Sequence, residues 1–167
     1  MSGSFIADNG FPAQYPPKTV RYVAGLLFDD TGSRVALVRK NRPAWQAGKL
    51  NAIGGKIEAG ESPGIAMMRE FEEETGVHIP PNLWSPIAVL TGDTFQVHFF
   101  SARSHMIDDV QTMEDETIER HEVGGKWGVL THPHDLIPNL RVIIPLALDN
   151  TGIVKPVALR DSRPVTA

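Results

Sequence analysis

The sequence predicts an α+β domain, a mixed β-sheet with helices packed against it, and three observations carry that prediction. Apolar segments follow the order β-β-α-β-β-α, and short runs rich in Val, Ile, Leu and Phe outnumber the helical ones. The length, 167 residues, suits one shared core better than two small ones. Residues 20–160 are read as a single domain, with an irregular lead-in at 1–19 that holds Pro12, Pro16 and Pro17 and a tail at 161–167.

Taken in order, Val20–Phe28 is an apolar run. The turn signal Asp29-Asp30-Thr31-Gly32 and a second run, Val35–Arg39, follow it and predict a hairpin. Asn41–Lys49 carries Pro43 and Gly48 and reads as a loop, and Leu50–Ile53 is a short strand ending at Gly54-Gly55. Ser62 before Pro63 starts a helix, a hydroxyl cap followed by a proline whose missing N–H costs nothing there. That helix runs to Thr75, where Gly76 supplies a left-handed cap, with Ile65, Met68 and Phe71 as its apolar stripe and Met67 close by. Ile87–Thr91 and Phe95–Ala102 are strands after the Pro80-Pro81 break. Asp108–Glu122 reads as a polar, acidic connection and Trp127–Thr131 as a strand with Trp127 packed in the sheet. A helix over Asn139–Leu148 must kink or end at Pro145, and Ile153–Leu159 alternates as a terminal strand.

Charge and composition narrow the function. The net charge of −4 argues against a protein that grips nucleic-acid phosphates over a broad face. With no cysteine, disulfide scaffolds, thiolate zinc sites and cysteine nucleophiles are excluded. The longest apolar stretch, Val142–Leu148, is far short of the roughly 20 residues that span a bilayer. Residues 1–19 lack the basic and apolar regions of a secretory leader, so the expected location is the cytoplasm. The negative charge is local. Segment 55–77 sets six glutamates against Lys56 and Arg69, and segment 108–122 sets seven acids against Arg120, leaving a basic remainder suited to a polyphosphate.

Within Arg69-Glu70-Phe71-Glu72-Glu73-Glu74-Thr75-Gly76, Glu70, Glu73 and Glu74 share one sector of the helix. They lie in its last turns, where the negative end of the dipole disfavours a carboxylate by roughly 0.3–1 kcal/mol each. A bound Mg²⁺ or Mn²⁺ would remove that conflict, since clustered hard oxygens suit such ions. A solvated acidic face is the other reading of the same residues.

The preceding loop decides between them. Gly55, five residues, Glu61, seven residues, then Arg69-Glu70-Phe71-Glu72-Glu73-Glu74-Thr75-Gly76-Val77 resembles the Nudix box, the loop–helix signature of Nudix hydrolases. Every polar and glycine position is matched, and Phe71 stands where an aliphatic residue is more usual. The resemblance implies an α/β/α sandwich and a Mg²⁺-dependent enzyme, with Mn²⁺ as the other metal, that cleaves a nucleoside diphosphate from a linked group. By position it implies metal ligation by the Gly54 carbonyl, Glu70, Glu73 and Glu74, with Arg69 orienting the glutamates and Glu61 its partner. A further ligand comes from a loop before a late strand in such proteins. Here Glu122 is the first choice, ahead of Glu119 and Glu116, with Glu114 and Asp115 also present. Arg39 and Lys40 end the second strand, where relatives hold a basic residue against phosphates, and Lys56 has the same role in prospect. Asn51 and Asn139 are placed to read a base, because an amide offers a donor and an acceptor together. For Asn139 a helix N-cap is the competing assignment.

Resemblance and residues together favour conversion of a nucleoside triphosphate to a monophosphate and pyrophosphate. The alternatives are an ADP-ribose or dinucleoside polyphosphate hydrolase and a non-catalytic ligand sensor, which would have little reason to retain all three box glutamates. The expected partner is a small nucleotide, with no membrane and no stable nucleic-acid binding, and relatives of this kind include homodimers. Which carboxylate acts as the base stays open.

Overall fold

The computed structural model describes residues 19–161, and the expectations for the lead-in before Thr19 and the tail after Asp161 lie outside them. Nine regular elements follow: β1 (Val20–Phe28), β2 (Arg34–Arg39), β3 (Leu50–Asn51), α1 (Pro63–Thr75), β4 (Ser85–Thr91), β5 (Phe95–Arg103), β6 (Thr117–Glu122), α2 (Leu140–Leu148) and β7 (Val157–Arg160). The strands form one sheet in the order β3-β2-β1-β5-β4-β7, with β6 along the free edge of β2. It is a mixed sheet. β1 runs parallel to β5 and β4 parallel to β7, while the β1–β2, β4–β5 and β2–β6 pairs are antiparallel.

Alternation along the strands sends side chains to two faces, and each face is covered. Leu26, Phe28, Leu37 and Phe99 pack with Leu140, Ile143 and Ile144 of α2. Val23, Leu27, Val38 and Phe100 pack with Ala66, Met67 and Phe71 of α1. The result is the expected sandwich of a sheet between helices.

Helix α1 has the predicted ends. Ser62 Oγ accepts from the Ile65 N–H at 3.4 Å, and Gly76, at φ 73°, donates its N–H to the Glu72 carbonyl. Its apolar stripe is one position away from the expected one. Met67 and Ala66 are fully buried with Phe71, whereas Ile65 is exposed and Met68 lies at the margin. The cause is on the sheet: Gly25 opens a slot that Met67 fills, and a Cβ on Gly25 would lie 2.7 Å from the Met67 methyl. Trp84 closes this layer edge-on against Phe71 at 5.1 Å.

Three expectations are corrected. The acidic connection contains strand β6, whose backbone pairs with β2 from Arg34↔Glu122 to Arg39↔Thr117. Trp127–Thr131 is a series of turns; Trp127 is 75% exposed and stacks on His132 at 6.0 Å instead of packing in the sheet. The terminal strand covers only Val157–Arg160. Helix α2 forms as expected and carries Pro145 inside it, continuing three residues further to Leu148.

Candidate active site

The site sits where β1 and β2 part. Their ladder joins Leu27 to Ala36 and Phe28 to Val35, and beyond it the segment after β2 enters the gap. β3 pairs with the end of β2, and the chain then crosses to β1, bridging Ile53 to Gly25 and Lys56 to Tyr22. Gly54 and Gly55 are held between those two bridges. A Cβ on Gly54 would fall 2.2 Å from the Val23 carbonyl oxygen, and one on Gly55 would fall 2.2 Å from Glu70 Oε2. Gly55 therefore makes room for the carboxylate that α1 delivers. The carbonyls on either side accept from β1, Ile53 from the Gly25 N–H and Gly55 from the Val23 N–H, whereas the Gly54 carbonyl accepts no backbone hydrogen bond among the described residues.

Arg69 is the hub of the box. Its guanidinium donates to both oxygens of Glu61 at 2.9 Å, to Glu70 at 2.8 Å, to Glu73 at 3.1 Å and to the Lys56 carbonyl. That bond from Arg69 holds the Glu61 carboxyl below the usual range. Burial drives the other two carboxyls the opposite way. Glu70 is raised by desolvation against the pull of Arg69. Glu74 is pushed up to about 8 by burial, opposed by Lys40, with Glu70, Glu114 and Glu116 adding to the rise. Glu73 stands further out, its side chain 53% exposed against 15% for Glu70. The three box glutamates thus share a sector, but Glu70 and Glu74 form its inner part, and among the described residues no three acidic or imidazole side chains are drawn into a ready-made cage.

The late acidic segment is placed by β6. Glu122, the first choice for a further ligand, lies opposite Arg34 at the far end of β2, about five residues or roughly 16 Å of strand from Arg39. Strand register instead sets Glu116 at the Lys40 end of β2. Glu116 bonds Lys40 Nζ and the Asn41 N–H and lies within electrostatic reach of Glu74, as does Glu114. Glu119 pairs with Arg39 and with His121. Arg39, predicted to meet phosphate, is therefore engaged by Glu119 and by the Gly48 carbonyl, and Lys40 is the basic residue facing the box. Sequence position alone pointed to this pair of neighbours without separating them; Glu119 claims Arg39 and Glu116 claims Lys40. Lys56 is exposed beside the box.

On the other side of Gly54-Gly55 opens a cavity of about 630 Å³. Its walls include Tyr22, Trp45, Phe95 and Phe99, with Asn51, Gln46 and Asn139 as polar groups and Lys40 at the box end. Asn139 does not cap α2, because its side chain makes no capping bond. Its Oδ1 is buried without a hydrogen-bond partner, a costly state that a bound donor would relieve. Asn51 also lines the cavity, bonded to Gln46. Gln46 was not singled out in the sequence; only the closure of the 40–49 loop, where Lys40 N–H meets the Lys49 carbonyl, brings it here.

This geometry can be set beside known proteins. Residues 18–136 match the NUDIX domain family. The chain belongs to that family, the family of the Nudix hydrolases. Over 112 residues it is 31% identical to the uncharacterized Nudix hydrolase YvcI of Bacillus subtilis, covering 63% of this chain and 68% of that protein. Over 60 residues it is 35% identical to the 8-oxo-dGTP diphosphatase of Escherichia coli, covering 36% of this chain and 46% of that one. A 65-residue stretch is 42% identical to an octanoyltransferase of Myxococcus xanthus, covering 39% of this chain and 18% of that protein. For two of these three relatives the match thus spans less than half of their length. The fold is shared with a MutT structure from work on Aliivibrio salmonicida and Vibrio cholerae, at TM-score 0.59 and 21% identity, over 78% of this chain and 97% of that one.

Nudix hydrolases need a divalent metal and act on small nucleotides, and the Nudix residues here fit a hard cation. Glu70, Glu73, Glu74 and the Gly54 carbonyl are all oxygen donors, and Glu70 and Glu74 carry the desolvation cost that a cation would relieve. Among the described residues no helix is long and apolar enough to cross a membrane.

Proposed function

We propose that this Nudix protein, working as one domain over residues 20–160, hydrolyses a nucleoside triphosphate to the monophosphate and pyrophosphate with Mg²⁺ or Mn²⁺. The observation that carries this reading is the buried, unpaired Asn139 Oδ1 in an aromatic cavity that adjoins the box glutamates. A base stacked between apolar walls can present an N–H to that oxygen. Its polyphosphate would then leave the cavity past Lys40 toward Glu70 and Glu74.

The residues divide the work. Glu70, Glu73, Glu74 and the Gly54 carbonyl would hold the metal, and Glu116 is tied to Lys40 within electrostatic reach of Glu74. When bound, the metal offsets the charge on the phosphates and favours ionisation of water. Arg69 keeps Glu70 and Glu73 in place by charge-assisted bonds. A box carboxylate takes the proton of the attacking water, and the P–O–P anhydride opens to give monophosphate and pyrophosphate. Lys40, beside Glu116, supplies positive charge for a phosphate oxygen.

The size of the cavity supports a second reading, a Nudix enzyme acting on ADP-ribose or a dinucleoside polyphosphate. One product assay separates the two. Offered Mg²⁺ with nucleoside triphosphates, oxidised purine triphosphates, ADP-ribose and dinucleoside polyphosphates, the protein is expected to release pyrophosphate and a monophosphate. AMP from ADP-ribose with triphosphates left intact would replace the first reading by the second. Glu74→Gln is expected to lower turnover by about 100-fold or more with the thermal midpoint preserved. Asn139→Ala should raise KM about tenfold or more without destabilising α2, because it removes a base contact and no cap.

A further inference from the structure

We propose that Gln46 sets base selectivity, forming with Asn51 a wall of hydrogen-bond donors that favours a nucleobase with a carbonyl group over one with an amino group. The inference rests on the nucleotide reading above and deepens it.

The directions of the bonds fix the chemistry. The Ala52 backbone N–H donates to Asn51 Oδ1 at 2.8 Å, and a backbone N–H can only donate. The oxygen of the Asn51 amide is therefore the atom turned to the backbone, and its nitrogen is the atom turned to Gln46. Asn51 Nδ2 donates to Gln46 Oε1 at 3.2 Å, so the Gln46 oxygen is consumed in turn. What remains is one N–H of Asn51 and both N–H groups of Gln46, for which no acceptor stands among the described residues. One backbone donor thus orients two amides in series, and both line the cavity.

Neither amide is free to flip at low cost. Reversing Asn51 would set its NH₂ against the Ala52 N–H, and reversing Gln46 would set two NH₂ groups together. The backbone that carries Gln46 is also closed. Its N–H donates to the Pro43 carbonyl, its carbonyl accepts from Lys49, and Lys40 and Lys49 clasp the loop ends. Asn139 Oδ1, which lines the same cavity, is the complementary acceptor. A ligand that satisfies all three side chains offers a carbonyl oxygen to Gln46 and Asn51 and an N–H to Asn139. Keto bases such as guanine, hypoxanthine and uracil carry those groups side by side. Adenine and cytosine place an amino donor where the keto bases place the oxygen, which faces the donor wall unfavourably.

The test is equilibrium binding, read by titration calorimetry on the full-length, metal-free protein at pH 7.5. The probes are GMP, IMP and UMP against AMP and CMP. Wild type is expected to hold each keto nucleotide about tenfold or more tighter than its amino counterpart. Gln46→Glu keeps an oxygen for Asn51 and turns an acceptor toward the base, so the preference should vanish or invert. Gln46→Leu removes the two Gln46 donors and leaves those of Asn51, so the preference should fall with a small change in mean affinity. Equal keto-to-amino ratios in wild type and both variants would overturn the inference and leave the pyrophosphohydrolase reading to its product assay. Loss of preference in Gln46→Leu with full retention in Gln46→Glu would overturn the donor wall, since orientation of Asn51 alone would then suffice. No binding of any nucleotide by wild type, with no triphosphate turnover, would overturn both.

Discussion

Gly54 and Gly55 are adjacent, yet a methyl group on each meets a different kind of neighbour. On Gly54 it strikes the Val23 carbonyl, which is tied into β1 and cannot retreat. Gly54→Ala is expected to destabilise the fold by about 2 kcal/mol or more, as overpacking against backbone does. On Gly55 the methyl meets the end of the Glu70 side chain, which can swing away. Gly55→Ala should therefore keep a near-wild-type thermal midpoint while losing turnover and metal affinity. If both variants melt alike, or if Gly55→Ala stays active, the assignment of Gly55 as space for Glu70 fails. The sequence marked both glycines through the box pattern. It did not separate their reasons, which depend on what β1 and α1 place opposite each. The same limit applies to Arg39 and Lys40. Their basic character was legible, but which one faces the box depended on Glu119 claiming Arg39.

At the level of elements, α1 was readable almost to the residue because its signals are local: Ser62, Pro63 and Gly76 act on their own backbone. Its apolar stripe was less so, since Met67 and Met68 have the same hydrophobicity and only the Gly25 slot selects between them. Met67→Ala is expected to cost about 2–5 kcal/mol and Met68→Ala under about 1 kcal/mol, measured by urea unfolding. Similar losses for the two would contradict the packing described here. Strand β6 escaped the sequence reading because its residues, Thr117–Glu122, are polar apart from Ile118 and carry no apolar alternation. What makes it a strand is the edge of β2, which supplies backbone partners along all six positions. The converse error, a strand at Trp127–Thr131, trusted β-propensity in a segment that closes on itself in turns, with the Gly128 N–H on the Gly125 carbonyl and the Thr131 N–H on the Gly128 carbonyl.

At the scale of the whole molecule, the sheet buries polar groups that no local pattern announces. His98 of β5 is 4% exposed, its Nε2 against Gln96 Oε1 at 2.7 Å. Burial, with Arg21 nearby, lowers its pKa to about 4. The native state thus keeps His98 neutral while an unfolded chain would protonate it near its ordinary 6.5. This contribution is complete above pH 6.5 and is lost as pH falls toward 4, so wild type should lose about 2 kcal/mol from this residue between pH 7 and pH 5. His98→Leu should flatten that part of the profile in urea unfolding; an unchanged slope would show that His98 is not buried neutral. By itself the sequence determined the mixed sheet, the capped helix and the box, because periodicity, caps and motif spacing act over a few residues. Tertiary structure alone decided that Glu116 comes within electrostatic reach of Glu74, that Asn139 leaves its oxygen unpaired, and that Gln46 reaches the cavity. Those placements come from strand register and loop closure between segments far apart in the chain, and no short stretch of sequence encodes them.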